Sequence, residues 1–176
     1  QDGLNRYDGR RIVTYRHDGN DPRSLPSPVA GALFEDSLGR IGVGSRWAGQ
    51  GLAFYDRDHD FFVRVPSGRG TGGPSHPRVN AFAEDSKGRI FVATPKGVDL
   101  VDVDNSTFEN FGFDTLDEKI KLPRQATALL KHGFGELLVG TTAGLYVLDR
   151  QKKRCIPWRG ALGDEASELR EAKVPV

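Results

Sequence analysis

Among its 176 residues the sequence has one cysteine, Cys155, and no methionine. A lone cysteine cannot form an intrachain disulfide, and the spacing of cysteine and histidine residues matches no zinc site. We therefore interpret Cys155 as a small buried apolar side chain. The sequence indicates no metal site, no cofactor and no set of catalytic residues.

An excess of charge of one sign is also absent, since 25 Lys and Arg stand against 24 Asp and Glu, for a net charge of +1. Nucleic-acid binding and membrane-surface binding both depend on concentrated positive charge, so we expect no nucleic-acid partner. No apolar run reaches the ~18 residues of a membrane-spanning helix. No signal peptide is visible. Because the chain has no methionine and opens on Gln1, we expect a piece of a longer polypeptide that meets a membrane only through its parent chain.

Glycine and proline are abundant instead, at 22 and 10 residues, with short apolar runs between them. This combination predicts many strands joined by many turns. Four segments share one pattern, in which a glycine leads a strand-like stretch that ends in aspartate: residues 3–8, 51–56, 97–102 and 144–149. The leading glycines are separated by 48, 46 and 47 residues. Regular spacing of this kind indicates stacked repeat units.

Each complete repeat contains four strand-like segments, which in the second repeat cover residues 29–34, 41–45, 51–55 and 61–65. Four antiparallel strands in a unit of ~45 residues are typical of a β-propeller blade. A sandwich of short strands is the alternative, but it gives no reason for a fixed spacing. We predict an all-β fold, a β-propeller fragment of about three and a half four-stranded antiparallel blades.

The repeat divides the chain into five parts: the last two strands of a first blade (1–17), blade 2 with its linker (18–66), blade 3 with its linker (67–113), blade 4 with its linker (114–160), and a tail or linker to a next blade (161–176). A closed propeller has ~4–8 blades. We therefore expect further blades of the same chain, or another copy, to cover the ends of this fragment.

Several of these segments resemble the two-component regulator propeller repeat. The motifs EDSLGR at 35–40 and EDSKGR at 84–89 match the turn of that family, residues 3–8 match its third strand, and residues 17–27 match its linker between blades. The resemblance covers residues 1 to about 160. Taken together these motifs are specific, although each single match is weak.

The sequence departs from the family pattern at two places. The second strand of the family carries a tryptophan, which is replaced here by Gly42, Phe91 and Leu138. In blade 4 the acidic turn becomes Lys131-His132. These positions serve packing and turn formation, so the predicted fold is unchanged.

The resemblance implies a function in signal transduction. Members of the family are usually periplasmic sensor domains of inner-membrane receptors, with a cytoplasmic histidine kinase or diguanylate cyclase in the parent chain. For this chain it implies a non-enzymatic module that senses a small molecule or an oligosaccharide. A carbohydrate is the ligand class that we consider first.

Two alternatives remain open. One is a scaffold for protein–protein interaction or self-association. The other is a propeller lyase or lactonase, which would need histidine or carboxylate side chains that converge at the mouth of the channel. The starts of the inner strands, at Val29, Val79 and Gln125-Ala126, offer almost none.

One loop is longer in blade 2 than in the other blades. Between the second and third strands, blades 3 and 4 have two residues, 95–96 and 142–143, whereas blade 2 has the five residues 46–50. Arginine pairs with anions and tryptophan stacks on sugar rings, so Arg46 and Trp47 are candidate ligand-binding residues, together with Gln50. The alternative is that Trp47 folds back over the edge of the blade.

The linker that precedes blade 3 is rich in glycine and positively charged. It contributes Arg69, His76 and Arg78 as further candidates for contact with an anionic ligand, unless it is a loose surface loop. Lys96, in the short loop of blade 3, completes the candidate set. Asp56, Asp58 and Asp60 have the spacing of the first ligands of a calcium loop, but Phe61 and Ser67 stand where that loop needs glycine and glutamate.

Overall fold

The computed structural model describes residues 3–47, 51–65, 72–113, 125–133 and 136–158, and every regular element within them is a β-strand. In chain order the strands are β1 (Leu4–Tyr7), β2 (Ile12–Tyr15), β3 (Ala30–Glu35), β4 (Ile41–Ser45), β5 (Leu52–Asp56), β6 (Phe61–Val65), β7 (Ala81–Glu84), β8 (Ile90–Thr94), β9 (Gly97–Asp102), β10 (Thr107–Phe113), β11 (Ala126–His132), β12 (Glu136–Thr141), β13 (Gly144–Asp149) and β14 (Arg154–Pro157). Within this part of the chain, no helix has the length and apolar character needed to cross a bilayer.

The strands form successive antiparallel units. Strands β3 to β6, β7 to β10 and β11 to β14 each pair in sequence order, and β1 pairs with β2. A short parallel contact between β10 and β14 joins the outer strands of the last two units. These are blades 2, 3 and 4 and the outer half of blade 1, so the predicted all-β propeller fragment is confirmed. The inner strands β3, β7 and β11 lie next to one another.

The glycines that mark the repeat adopt backbone conformations that favour glycine. At Gly3, Gly51, Gly97 and Gly144 the φ angle is 106°, 70°, 135° and 115°, a region that other residues rarely adopt. A Cβ atom at Gly97 would also lie 2.3 Å from the carbonyl oxygen of Phe111. The repeating glycine therefore allows each third strand to enter its sheet beside the fourth.

The recurring acidic turn is held by its aspartate. The Asp36 carboxylate accepts hydrogen bonds from the backbone N–H groups of Leu38 and Arg40, at 3.0 and 2.7 Å, and from Nε of Arg40 at 2.6 Å. Asp85 accepts the equivalent bonds from Lys87 and Arg89 in blade 3. The motif recurs because its aspartate accepts hydrogen bonds from the backbone and the arginine of its own turn.

Close packing between blades explains why tryptophan is absent from the second strand of blade 2. A Cβ atom at Gly42 would lie 3.2 Å from the ring of Phe82, and one at Gly44 would lie 2.8 Å from Val79. The ring of Phe82 stacks on Phe34, with centroids 5.6 Å apart. Side chains of blade 3 therefore occupy the space that a larger residue on β4 would need.

Blades 3 and 4 share a second apolar core. Its buried side chains include Phe91, Phe111, Val139 and Tyr146, and Cys155 is fully buried among them. Burial raises the pKa of the Cys155 thiol to about 12. The prediction that this cysteine is a buried apolar side chain is confirmed.

A candidate ligand-binding cavity where three inner strands meet

A cavity of about 400 Å³ opens beside the first residues of the three inner strands. Residues 31, 80 and 127 occupy the same position in the three repeats, directly before or within β3, β7 and β11, and all three line the cavity. The complete lining is Gly31, Arg46, Trp47, Arg78, Val79, Asn80 and Thr127. The cavity therefore brings together three of the side chains predicted as ligand-binding, Arg46, Trp47 and Arg78.

Gly31 makes room for the start of the long loop in blade 2. The pairing of β3 with β4 shifts register between Ala30 and Ala32, as in a β-bulge. A Cβ atom on Gly31 would lie 2.7 Å from Cβ and 2.9 Å from Cα of Arg46. Glycine at this position thus lets Arg46 pass close to the inner strand and reach the cavity.

Trp47 presents an aromatic surface to the cavity. Its side chain is 66% exposed, and its carbonyl oxygen accepts a hydrogen bond of 2.9 Å from Oγ of Ser45, the last residue of β4. The backbone at the base of the loop is therefore held while most of the indole remains open. An exposed indole of this kind is a stacking surface for the apolar face of a sugar.

Arg78 is held in one orientation by neutral groups. Its Nε donates to Oδ1 of Asn80 at 3.0 Å, and one terminal nitrogen donates to Oε1 of Gln125 at 2.9 Å. Asn80 in turn donates to the carbonyl oxygen of Ala126 at 2.6 Å. These bonds link blade 3 to blade 4 and position the guanidinium without neutralising its charge.

The remaining predicted site residues are placed differently. Nδ1 of His76 accepts a hydrogen bond of 2.9 Å from the backbone N–H of Arg78. Burial, with the positive charges of Lys96 and Arg78, lowers the pKa of His76. His76 and the exposed Lys96 therefore stand near Arg78 but do not line the cavity. Gln50 and Arg69 lie outside the described residues.

A buried carboxylate that the sequence analysis missed anchors the segment before Arg78. Asp99 is fully buried in β9. One of its oxygens accepts from the N–H and from Oγ of Ser75, both at 2.9 Å, and the other accepts from Nδ2 of Asn110 at 2.8 Å. Burial raises the pKa of Asp99, although these hydrogen bonds oppose the shift. The equivalent residues of blades 2 and 4 are Ala53 and Tyr146, so this anchor is specific to blade 3.

A second cavity, of about 350 Å³, lies between β2 and the turn before β6. Its central carboxylate, Asp60, accepts hydrogen bonds from the hydroxyl groups of Tyr15, at 2.6 Å, and Tyr55, and it lies 3.3 Å from a terminal nitrogen of Arg6. The hydrogen bonds from Tyr15 and Tyr55 lower the pKa of Asp60, helped by the charge of Arg6. These groups fasten blade 1 to blade 2, and in the same turn the Asp56 carboxylate accepts hydrogen bonds from the backbone N–H groups of Asp58 and His59.

Three solved structures that share this fold are extracellular domains of proteins from B. thetaiotaomicron. The extracellular domain of BT3049, assigned as a hybrid two-component system, matches 89% of this chain with a TM-score of 0.73 and 19% sequence identity. The extracellular domain of BT4673, assigned as a one-component system, matches 88% with a TM-score of 0.67 and 21% identity. A structure of BT4673 assigned as a hybrid two-component system matches 86% with a TM-score of 0.54 and 16% identity.

The chain spans 22%, 19% and 26% of the length of these three solved chains. No protein-family model matches the sequence, and no curated protein is similar to it in sequence. What the three solved structures share with this chain is the fold, which is the fold that the resemblance implied.

Proposed function

We propose that this chain is a non-enzymatic, ligand-sensing propeller module of a membrane-bound bacterial signal-transduction receptor, and that its ligand is a carbohydrate. The observation that carries the proposal is the cavity, which is lined by the exposed Trp47 together with Arg46 and Arg78. The shared fold with extracellular domains of two-component systems supports it. In this function the chain lies in the periplasm, as part of a receptor of the inner membrane.

The chemistry of the cavity suits the binding of a saccharide. Sugars combine apolar faces, which stack on aromatic rings, with hydroxyl groups that accept hydrogen bonds from fixed donors. Trp47 supplies the ring, and the guanidinium groups and Asn80 supply polar contacts. Because Arg78 and Asn80 are already held by their neighbours, little side-chain entropy is lost when a ligand binds.

Calorimetry with a panel of oligosaccharides on the complete protein that contains this chain tests the proposal. We expect at least one saccharide to bind, and Trp47→Ala to weaken its affinity by about tenfold, equivalent to ~1.4 kcal/mol. Trp158→Ala is the matched control, because Trp158 lies against His132 at the edge of blade 4 and away from the cavity. No binding across a broad panel, or equal losses in the two variants, would refute the proposed role.

Self-association is a second candidate function, favoured by apolar side chains on the exposed faces of the first and last blades. Tyr7 and Ile12 are opposite each other in β1 and β2 and are 69% and 67% exposed, and Leu130 of blade 4 is 62% exposed. Light scattering across a range of concentrations tests this function. Self-association would be supported by a dimer that dissociates in Ile12→Glu but stays intact in Val63→Glu, a variant on another exposed strand. A strict monomer would exclude it.

A further inference from the structure

We propose that the cavity selects a saccharide that carries an anionic group, a carboxylate or a sulfate. This inference rests on the proposed function and names the class of sugar that the site takes. The observation behind it is the charge of the lining. Two arginines line the cavity, and no aspartate or glutamate is among the described residues that do so.

The arginines of the cavity differ from most other arginines of the described chain. Neither Arg46 nor Arg78 has a carboxylate oxygen within 4.0 Å among the described residues. Seven other arginines do have one: Arg6, Arg11, Arg23, Arg40, Arg57, Arg89 and Arg150. The chain as a whole is nearly neutral, so the uncompensated positive charge is a local property of the cavity.

The hydrogen bonds of Arg78 use only part of the donor capacity of its guanidinium group. A guanidinium has five N–H donors, and two of them are directed to the amide oxygens of Asn80 and Gln125. The other three donors have no acceptor among the described residues. A planar guanidinium with free donors matches the two oxygens of a carboxylate or the oxygens of a sulfate, and such charge-assisted bonds are stronger than neutral ones.

The surroundings of Arg78 increase the positive potential. Lys96 and Arg78 both act on His76, whose pKa is lowered by burial and by their charges. An anion in a partly enclosed, positively charged cavity is attracted more strongly than one at an open surface. The exposed ring of Trp47 adds a contact that a small inorganic anion cannot use, and therefore favours a sugar that bears the charge.

Calorimetry of the complete protein with matched acidic and neutral probes tests the inference. The probes are an oligogalacturonide with its carboxyl-reduced galactan counterpart, and a sulfated galactan oligosaccharide without uronic acid with its neutral, desulfated form. We expect one acidic probe to bind at least tenfold more tightly than its neutral counterpart, with an affinity that falls as salt is added. Whether the carboxylated or the sulfated probe shows this preference over its neutral counterpart distinguishes selection of a carboxylate from selection of a sulfate.

Variants of the arginines assign the selectivity to this cavity. We expect Arg46→Ala and Arg78→Ala each to reduce the affinity for the acidic probe by at least tenfold more than they reduce the affinity for its neutral counterpart. Arg78→Lys should lie between, because it keeps the charge and loses the planar donors. Arg57→Ala, at a paired arginine outside the cavity, is the control. Since the side chain of Arg46 makes no hydrogen bond or ion pair with any described residue, its removal does not threaten folding.

The outcomes separate this inference from the proposed function. Equal affinity for acidic and neutral probes, or no effect of either arginine variant, overturns the selection of an anion and leaves carbohydrate sensing intact. Failure to bind any saccharide overturns both. Binding of inorganic sulfate alone, with no preference for the sulfated sugar, overturns the assignment of a saccharide.

Discussion

Charged side chains at the acidic turns are neutralised by their neighbours, whereas those at the cavity are not. In the turns, Asp36 pairs with Arg40 at 2.6 Å, and Asp85 pairs with both Arg89 and Arg150, at 2.8 and 2.6 Å. At the cavity, the only side-chain partners of Arg78 among the described residues are neutral amides. Charge at the turns therefore holds the blades together, while charge at the cavity remains available to a ligand.

The two regions also differ in how they relate to the repeat. The turn motif recurs in blades 2 and 3 with the same hydrogen bonds. The cavity residues break the repeat, since the equivalents of Arg46 are Pro95 and Thr142, and those of Arg78 are Val29 and Gln125. In a chain of similar blades, departures from the repeat are thus the places where specific binding can arise.

The largest effect is expected at a turn. Asp85→Ala removes the acceptor of two backbone N–H groups and leaves Arg89 and Arg150 without their carboxylate. We expect it to lower the free energy of unfolding by about 3 kcal/mol and to leave the affinity for ligand unchanged in the folded protein. Denaturant unfolding measures the first and calorimetry the second. Asp8→Ala, at an exposed turn, is the control. An equal loss of unfolding free energy in the two variants would contradict the structural role of the Asp85 turn.

The pH dependence of stability should have opposite signs at Asp85 and Asp99. Burial disfavours the charged form of Asp85, but hydrogen bonds from Arg89 and Lys87 outweigh it and lower its pKa. Its contribution to stability is therefore present above the ordinary pKa of aspartate and is lost as the pH falls through the lowered value. The pKa of Asp99 is raised, so its contribution is greatest in acid and is lost as the pH rises through the raised value.

Unfolding by urea between acidic and neutral pH tests this contrast. Asp85→Asn should reduce the loss of stability that occurs as the pH falls. Asp99→Asn should reduce the loss of stability that occurs as the pH rises through the raised pKa of Asp99. If both substitutions changed the pH dependence of the unfolding free energy in the same direction relative to wild type, the buried carboxylate of Asp99 would behave like that of Asp85.

A smaller effect is expected from the glycine beneath the long loop. Gly31→Ala places a Cβ atom 2.7 Å from Cβ of Arg46, so the loop must move. We expect about 1 kcal/mol of destabilisation and about a tenfold loss of affinity. Gly19→Ala is the matched control, because a Cβ atom there meets no atom within 4 Å. Wild-type affinity in Gly31→Ala would show that the position of Arg46 does not matter for binding.

The smallest effect is expected from Lys96, which is exposed. Lys96→Ala should reduce the affinity for an acidic ligand by about twofold at low salt and have no effect at high salt. It should also raise the pKa of His76, because the charge of Lys96 contributes to lowering it. A titration of the His76 ring by NMR measures this shift, and an unchanged pKa would place Lys96 too far from the cavity to matter.

The regular parts of the fold follow from the sequence because they obey local rules. Positive φ at Gly97 and Gly144 requires glycine, and the turn at Asp36 needs its aspartate and a glycine close together. These requirements recur in successive blades and can be read without the structure. The replacement of tryptophan by Gly42 could not be explained from sequence, because its reason is Phe82 in another blade.

The candidate site could be predicted only in part. Loop length singled out Arg46 and Trp47, and local charge singled out Arg78. The contribution of Asn80 depends on a contact with blade 4. The segment before it is anchored by Asp99, which in the sequence is one polar residue in an apolar strand. Alignment of the inner strands on the repeat could have found Asn80, since it is the equivalent of Gly31.

A crystal structure of the complete protein with the saccharide that it binds tests the central claim most directly. We expect a sugar ring stacked on Trp47, with its anionic group within hydrogen-bond distance of the guanidinium groups of Arg46 and Arg78. A saccharide bound elsewhere, with this cavity filled only by solvent, would contradict it.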